Sequence, residues 1–378
     1  MKIFFYTKSQ FSRLFVVNIA GLMSTISFFF ILSMHSLSFT NPLCEAVRSN
    51  DFVKVERLIG DDADVNARCA QYQTTPLMIA SLHGFYECGH LLLENSANTC
   101  IKDISGQTAL FLAALYGQIE MLELLSKHNA ELDHRDNKGN NALMKAAWGN
   151  HVDCMEYLYR NGSNLDSRNA AGETPLFWAS KRGNVEAINW LLQKGANINA
   201  QDKSGKSALM LSAALGKKES IITLLSFKSP KGSKPSNVLD VQQRDTMGLT
   251  ALQYITALND IQIAEMLLQM GAECNPNTQS GSPLIFWPFI MGKEDISMYL
   301  LSHCNEVDLI RSDGCSLLHI AAANGWAEVV EYLIVTKKIN PFLKFNGRTA
   351  LDFAKENGHT SVKDFLNGLI TNSTNTTN

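Results

Sequence analysis

The sequence lacks most of the patterns by which enzymes and metalloproteins are recognised. Its eight cysteines include no C-x-x-C pair, which excludes a zinc ribbon and a dithiol redox motif. The G-x-x-x-x-G-K-[ST], G-x-S-x-G, H-E-x-x-H and G-x-G-x-x-G patterns are also missing. The sequence therefore predicts no catalytic, cofactor-binding or metal-ligating residues, and no cofactor.

The chain also has little net charge and few chain-breaking residues. Its 33 Lys and Arg side chains against 36 Asp and Glu give a net charge of -3, too weak a field to attract nucleic acid. The 24 glycines and 9 prolines in 378 residues are too few for a collagen or a linker. Hydrophobic residues make up 46%, which excludes disorder for most of the chain. A folded protein that does not bind nucleic acid is predicted.

Residues 14–34 form an uncharged, mostly apolar run that follows Lys2, Lys8 and Arg13. About 20 apolar helical residues span a bilayer, so residues 1–40 are predicted to be a signal peptide or a transmembrane anchor with one hydrophobic helix. A buried core helix is the less favoured interpretation. The preceding positive charges place the N-terminus in the cytoplasm and the rest on the trans side, membrane-anchored or secreted. A cytoplasmic array on an anchor of opposite orientation is the alternative.

The cysteines bear on the same question of compartment. They are scattered through the chain, at a density far below that of a disulfide scaffold. Buried or incidental thiols of a reducing compartment are therefore the favoured interpretation, which argues mildly against the trans side. On that side, the sequons at Asn161, Asn372 and Asn375 become usable in a eukaryotic secretory route.

A repeat of 33 residues organises the rest of the chain. Units start at this interval at Thr75, Thr108, Asn141, Thr174 and Ser207. After one insertion, further units start at Thr250, Ser282, Ser316 and Thr349. Chance does not produce the leucine that stands two residues after every start. These leucines are Leu77, Leu110, Leu143, Leu176, Leu209, Leu252, Leu284, Leu318 and Leu351.

Each unit carries the signals of two helices. Thr75, Thr174 and Ser282 each precede a proline, an arrangement that favours a helix N-terminus. Nine residues after most starts stands Gly or Asn, which tolerates the left-handed conformation that ends a helix. A second leucine column then marks the second helix, and stretches such as GANINAQDKSG predict a turn-rich hairpin.

This pattern resembles the ankyrin repeat. The best matches are TPLFWASKRGNVEAINWLLQKGANINAQDKSG from Thr174 and SLLHIAAANGWAEVVEYLI from Ser316. The resemblance covers residues 42–367 in roughly ten units, and it implies an all-α solenoid of stacked helix-turn-helix units with β-hairpin loops. It also implies that His319, the one signature histidine retained, hydrogen-bonds between repeats. Residues 368–378 are predicted to be a disordered polar tail.

Two segments interrupt the repeat. Residues 227–238, FKSPKGSKPSNV, form a basic insertion, for which a solvated loop is favoured over a contact for an acidic partner. Pro288 stands inside an expected first helix, where proline removes a backbone donor and kinks the chain. That unit is predicted to be distorted.

The resemblance implies a non-enzymatic scaffold that binds a partner protein on the concave surface of first helices and hairpin tips. The alternatives are a host-directed effector exported by an intracellular microbe, which would use the same surface, and an enzyme with no recognisable motif. The membrane is a further partner if residues 1–40 stay uncleaved.

In the family, the residues just before the inter-helix glycine face this surface. Here they change along the array from apolar and aromatic to basic, which predicts a partner segment hydrophobic at one end and acidic at the other. Ordinary apolar helix surface is the alternative. The predicted partner-binding residues are Tyr72, Leu82, His83, Leu115, Tyr116, Trp148, Lys181, Arg182, Lys203 and Lys206.

Overall fold

A computed structural model describes residues 41–69, 72–228, 237–274, 283, 285–304, 309–311 and 313–375. Twenty helices follow one another in these residues, as ten consecutive pairs. The prediction of an all-helical array of about ten two-helix units is therefore confirmed. The hydrophobic helix predicted within residues 1–40 lies outside the described residues and gains no support. No helix in the described part of the chain has the length and apolar character needed to cross a membrane.

The ten pairs consist of a first and a second helix each. The first helices are α1 (Pro42–Arg48), α3 (Pro76–His83), α5 (Ala109–Tyr116), α7 (Ala142–Gly149), α9 (Pro175–Arg182), α11 (Ala208–Ala214), α13 (Ala251–Leu258), α15 (Phe286–Ile290), α17 (Leu317–Asn324) and α19 (Ala350–Glu356). The second helices are α2 (Phe52–Gly60), α4 (Tyr86–Glu94), α6 (Ile119–Lys127), α8 (Val152–Arg160), α10 (Val185–Gln193), α12 (Lys218–Ser226), α14 (Ile261–Gln269), α16 (Glu294–His303), α18 (Ala327–Val335) and α20 (Thr360–Asn375).

Most first helices begin and end as the sequence predicts. The Thr75 hydroxyl accepts a hydrogen bond from the Met78 N–H at 3.3 Å, which satisfies one of the donors left open at a helix N-terminus. Gly84 and Asn150 end their helices with φ of 74° and 63°, the left-handed conformation that Gly and Asn tolerate. Thr174 differs, because its hydroxyl makes no capping bond although the residue holds the N-cap position.

The unit that contains Pro288 is distorted, as predicted, but its first helix does not begin where the sequence places it. Its first helix, α15, has five residues and begins at Phe286, so the predicted start at the Ser282–Pro283 pair is wrong. Ser282 itself lies outside the described residues. Pro288 is the third residue of α15, within the first turn, where a missing N–H leaves no helical bond unmade. The proline is thus accommodated in the first turn of a short helix.

The two leucine columns form the core of the array. In the first column, Leu77, Leu110 and Leu176 are each 1% exposed. In the second column, Leu92 and Leu125 are completely buried. First helices pack on neighbouring first helices, and second helices on second helices, so each unit contributes one leucine to each layer. The two leucine columns therefore form the packing contacts between repeats, as the 33-residue period predicts.

The ends of the units differ from expectation in two further ways. Within the described residues the hairpins form isolated bridges, such as Gln201 with Ser207, rather than paired strands. Helix α20 extends to Asn375, into the segment predicted to be a disordered tail. Leu366 and Leu369 pack against the core from this helix, and that packing carries the helix beyond residue 367.

Two disulfides join cysteines that were predicted to be free thiols. Cys44 on α1 pairs with Cys69 after α2, and Cys274 after α14 pairs with Cys304 after α16. The partners are 25 and 30 residues apart, close to one repeat length, and stacking brings such residues together. The interpretation of all eight cysteines as thiols is therefore wrong. The remaining thiols are Cys88, Cys100, Cys154 and Cys315.

Candidate functional site

The hairpins of neighbouring units are joined into one continuous edge. At each junction, a backbone N–H of one hairpin tip donates to a carbonyl of the preceding tip, with N–O distances of 2.9–3.3 Å. These bonds run from Ile104 to Tyr72, Asn137 to Ser105, Ala170 to Lys138, Lys203 to Ala171 and Thr246 to Ser204. The tips of six successive units are thereby held at a fixed spacing beside the first helices.

Arginine side chains reinforce the same edge. The Arg135 guanidinium donates to the Gly139 carbonyl of its own hairpin and to the Arg168 carbonyl of the next. Arg168 repeats the arrangement with Gly172 and Gln201. Because one guanidinium carries several donors in a fixed plane, each arginine fixes two hairpins together. The surface that these hairpins form with α3, α5, α7, α9, α11 and α13 is called the groove below.

The predicted partner-binding residues lie along the groove in two exposure classes. Tyr72, His83, Tyr116, Arg182 and Lys203 are exposed. Leu82, Leu115, Trp148, Lys181 and Lys206 are half-buried. Tyr72 and Lys203 belong to hairpin tips, Lys206 to a hairpin flank, and the other seven to first helices. The array therefore brings all ten onto the first helices and hairpins of five consecutive units, and their role in binding stays a prediction.

Trp148 is the centre of an aromatic and cationic cluster. Its ring meets that of Trp178 edge to face, with the centroids 5.2 Å apart. The guanidinium carbon of Arg182 lies 4.8 Å from the Trp148 ring centroid, within the range of a cation–π contact. Arg182 therefore covers part of the tryptophan instead of extending freely into solvent.

Two lysines of the groove, Lys181 and Lys206, also have neighbours within the chain. Lys181 Nζ lies 3.5 Å from the Glu173 carboxylate and 5.7 Å from the Trp178 centroid. Lys206 Nζ lies 5.4 Å from the Tyr254 centroid. The Tyr254 hydroxyl in turn donates to Asp245 at 2.7 Å. Three of the four basic residues predicted to bind, Lys181, Arg182 and Lys206, are thus held near aromatic rings.

Lys145 is a cation of the groove that the predicted partner-binding residues do not include. Lys145, on α7, has a side chain only 12% exposed, with its Nζ 4.4 Å from the Trp178 centroid and 3.9 Å from Asp136 Oδ2. Trp178 and Asp136 were missed with it. The signal was available, because Lys145 and Trp178 occupy the fourth position after their unit starts, where other units carry Ile79 and Leu112.

The second-helix side of the array carries a separate polar cluster. Glu156 on α8 accepts hydrogen bonds from Trp190 Nε1 at 2.9 Å and from Arg160 at 2.7 Å, and pairs with Lys194 at 2.9 Å. The bond from Lys194, then those from Trp190 and Arg160, lower the pKa of Glu156 to about 2. This network connects α8 to α10 and the residue after it. It therefore has a stabilising role away from the groove.

One histidine and two thiols of the described residues occupy structural positions. His319 Nε2 lies 3.0 Å from the Leu343 carbonyl of the next hairpin, which is the inter-repeat bond that the resemblance implied. Burial raises the pKa of the Cys154 thiol to about 12 and that of Cys315 to about 11, so both stay protonated. Among the residues described, no three His, Cys, Asp or Glu side chains are grouped to hold a metal ion.

Comparison with known proteins agrees with this geometry. The family described as "Ankyrin repeats (3 copies)" matches residues 24–103, 98–169, 129–202, 161–236 and 286–375. The crystal structure of the human ASB11 ankyrin repeat domain is similar over 61% of this chain and 97% of that chain, at 24% sequence identity and a TM-score of 0.52. At that identity the likeness shows the fold alone.

The stacked helix pairs and joined hairpins define a helical-repeat solenoid. The chain belongs to the ankyrin repeat family. Members of this family are generally protein-interaction scaffolds and are typically not enzymes.

Proposed function

We propose that this protein is a non-enzymatic scaffold that binds a partner protein in the groove. The observation that carries the proposal is the unbroken row of bonded hairpin tips from Tyr72 to Thr246, set beside six first helices whose last residues are exposed or half-buried. Such a surface is rigid before a partner arrives, which lowers the ordering cost of binding. Repeat arrays offer extended surfaces of this kind to other proteins.

The side chains of the groove favour a partner segment with two different ends. Near α3 and α5 the groove presents Leu82, Leu115 and Tyr116, which suit apolar side chains. From α7 onwards it presents Trp148 and Arg182, followed by the lysines of the next hairpin. Aromatic residues and arginine are the side chains that most often anchor protein interfaces. The proposed partner segment is therefore apolar at one end and acidic at the other.

Replacing Trp148 with alanine is expected to weaken partner binding by about 2 kcal/mol or more, because it removes an anchor and releases Arg182 from its cation–π contact. The measurement is the affinity of the full-length protein for the best peptides selected on it from a random-peptide display library. Tyr159→Ala is the matched control, since this aromatic lies on the second helix α8, away from the groove. Its affinity should equal that of the unchanged protein.

Reversing the charges of Lys181 and Arg182 tests the basic end of the same surface. The double variant should mainly slow association and reduce its dependence on salt, because steering by surface charge acts on the encounter rate. Circular dichroism checks that both variants remain folded. Unchanged affinity in folded Trp148→Ala together with unchanged association in the double variant would exclude the groove as the site.

We further propose that the repeats lie in an oxidising compartment, on the trans side of a membrane. The two disulfides support this, because such bonds persist in oxidising compartments and are rare in the cytosol. In protein isolated with its thiols trapped, Cys44, Cys69, Cys274 and Cys304 should be alkylated only after reduction. Alkylation of all eight cysteines without a reductant would contradict the placement. An effector released into another cell would use the same groove.

A further inference from the structure

Lys145 stands in a row of residues that are otherwise apolar or aromatic. The fourth position after the unit start holds Ile79, Leu112 and Leu211 in other units, which are 4%, 4% and 7% exposed. Lys145 therefore places a charge where these other units bury a branched aliphatic side chain. Removing a charge from water costs free energy unless it is paired and hydrogen-bonded. Natural sequences accept such a cost most often at functional sites.

The interactions of Lys145 within the chain do not repay that cost. Its nearest carboxylate oxygen, on Asp136, is 3.9 Å away, beyond hydrogen-bond distance. Asp136 Oδ2 already accepts a hydrogen bond from Asn140 at 2.8 Å. Lys145 is instead held against the rings of Trp178 and Phe111, at 4.4 Å and 5.3 Å from their centroids. Burial dominates, and it lowers the pKa of Lys145 to about 8.

A second ammonium group lies against the same indole ring with a similar environment. Lys181 Nζ is 5.7 Å from the Trp178 centroid and 3.5 Å from Glu173, whose other carboxylate oxygen accepts from Asn169 at 2.8 Å. Within the described residues neither ammonium donates a close hydrogen bond, although each has three donors. The indole N–H of Trp178 is buried and also lacks an acceptor there. Hydrogen-bond donors of Lys145, Lys181 and Trp178 that have no close acceptor among the described residues are therefore gathered at the Trp178 ring, in the middle of the groove.

We propose that the Lys145 and Lys181 ammonium groups, held against Trp178, bind the carboxylate of an aspartate or glutamate side chain of the partner. This rests on the proposed function of the groove. The charge balance favours an anion, since Lys138, Lys145, Lys181 and Arg182 outnumber Asp136 and Glu173. A singly charged carboxylate suits so enclosed a position better than a phosphate, because the cost of dehydrating an ion rises steeply with its charge.

The first experiment uses peptides selected on the full-length protein from the random-peptide library, resynthesised with each Asp or Glu replaced by Asn, Gln or phosphoserine. One acidic position should matter most, and its amide analogue should bind at least tenfold more weakly. Lys145→Leu should abolish that difference while it keeps the affinity for the amide analogue and raises the denaturation midpoint. Lys127→Leu, which replaces an exposed lysine on α6, should leave the difference intact.

The second experiment measures the affinity of the acidic peptide between pH 7 and pH 9. The Lys145 side chain attracts the carboxylate only while it is charged. The pKa of Lys145 is about 8, so this side chain loses its proton within this pH range. The charged groups that act on Lys145 from the neighbouring elements are Asp136, Lys138, Glu173 and Lys181. The peptide should therefore bind about tenfold more weakly at pH 9 than at pH 7. In Lys145→Arg, which stays charged, the affinity should not change with pH.

The outcomes separate this subsite from the groove as a whole. If the protein selects no peptide, the groove is not a peptide-binding surface and both proposals fail. If it selects peptides whose acidic residue contributes equally in Lys145→Leu, the subsite is wrong and the groove stands. A phosphoserine peptide that binds more than tenfold better than its aspartate counterpart would exclude a carboxylate as the ligand.

Discussion

Replacing Leu176 with alanine is expected to lower the free energy of unfolding by about 2–5 kcal/mol, the usual effect of emptying a buried leucine site. Leu176 is 1% exposed and belongs to α9, which packs against α7 on one side and α11 on the other. A cavity there weakens two inter-repeat contacts at once, and in a repeat array such contacts carry the cooperativity. Denaturant unfolding followed by circular dichroism provides the measurement.

The matched control is Leu258→Ala. This leucine also lies on a first helix, but it is 38% exposed, so its truncation should change the free energy of unfolding by less than about 0.5 kcal/mol. A loss below about 1 kcal/mol for Leu176→Ala, equal to that of the control, would mean that the leucine column does not face the core. The repeat register would then be wrong.

The repeat register could be predicted from the sequence because a period of 33 residues repeats the same local chemistry in unit after unit. A single Thr75 or Gly84 is a weak signal, whereas its recurrence at a fixed offset excludes chance. Predictions made for one unit alone were less reliable. The start of α15 was misplaced because Ser282 and Pro283 match the pattern, yet the helix begins at Phe286.

The groove could be predicted only in part. The residues before each inter-helix turn lie where the pattern places them, since that position depends on the helix alone. The environment of Lys145 depends on Asp136 in the preceding hairpin and on Trp178 in the next unit. Neither contact lies within the unit that contains Lys145. Similarly, the cation–π contact of Arg182 with Trp148 crosses a unit boundary. Contacts between units were thus the part that sequence reading missed.

The disulfides illustrate the same limit, and they show what signal was available. Cys44 and Cys69, like Cys274 and Cys304, are separated by slightly less than one repeat. In a stack, such a separation brings residues close in space, so the spacing of these cysteines relative to the repeat period is the signal that indicates the disulfides. The low density of cysteines, taken alone, favours thiols.

Reduction of the disulfides is expected to destabilise selectively the first unit and the unit that contains α15. Closing loops of 25 and 30 residues stabilises a fold by about 3–4 kcal/mol through the entropy of the unfolded chain. Cys44–Cys69 closes the first unit, which among the described residues packs against one neighbouring unit, and Cys274–Cys304 spans the unit with the short helix α15. Hydrogen exchange with and without reductant should therefore show faster exchange in α1, α2 and α16.

The central units are the internal control for this experiment. Helices α7 and α9 lie far from both disulfides along the stack, and units that contact only their neighbours should transmit little of the loss. The double variant Cys44→Ser, Cys69→Ser should reproduce the effect at the first unit without reductant, whereas Cys100→Ser, at an exposed free thiol, should change nothing. If α7 and α9 exchange faster to the same extent as α1, the array unfolds as one cooperative unit. If no helix changes, the disulfides do not contribute to its stability.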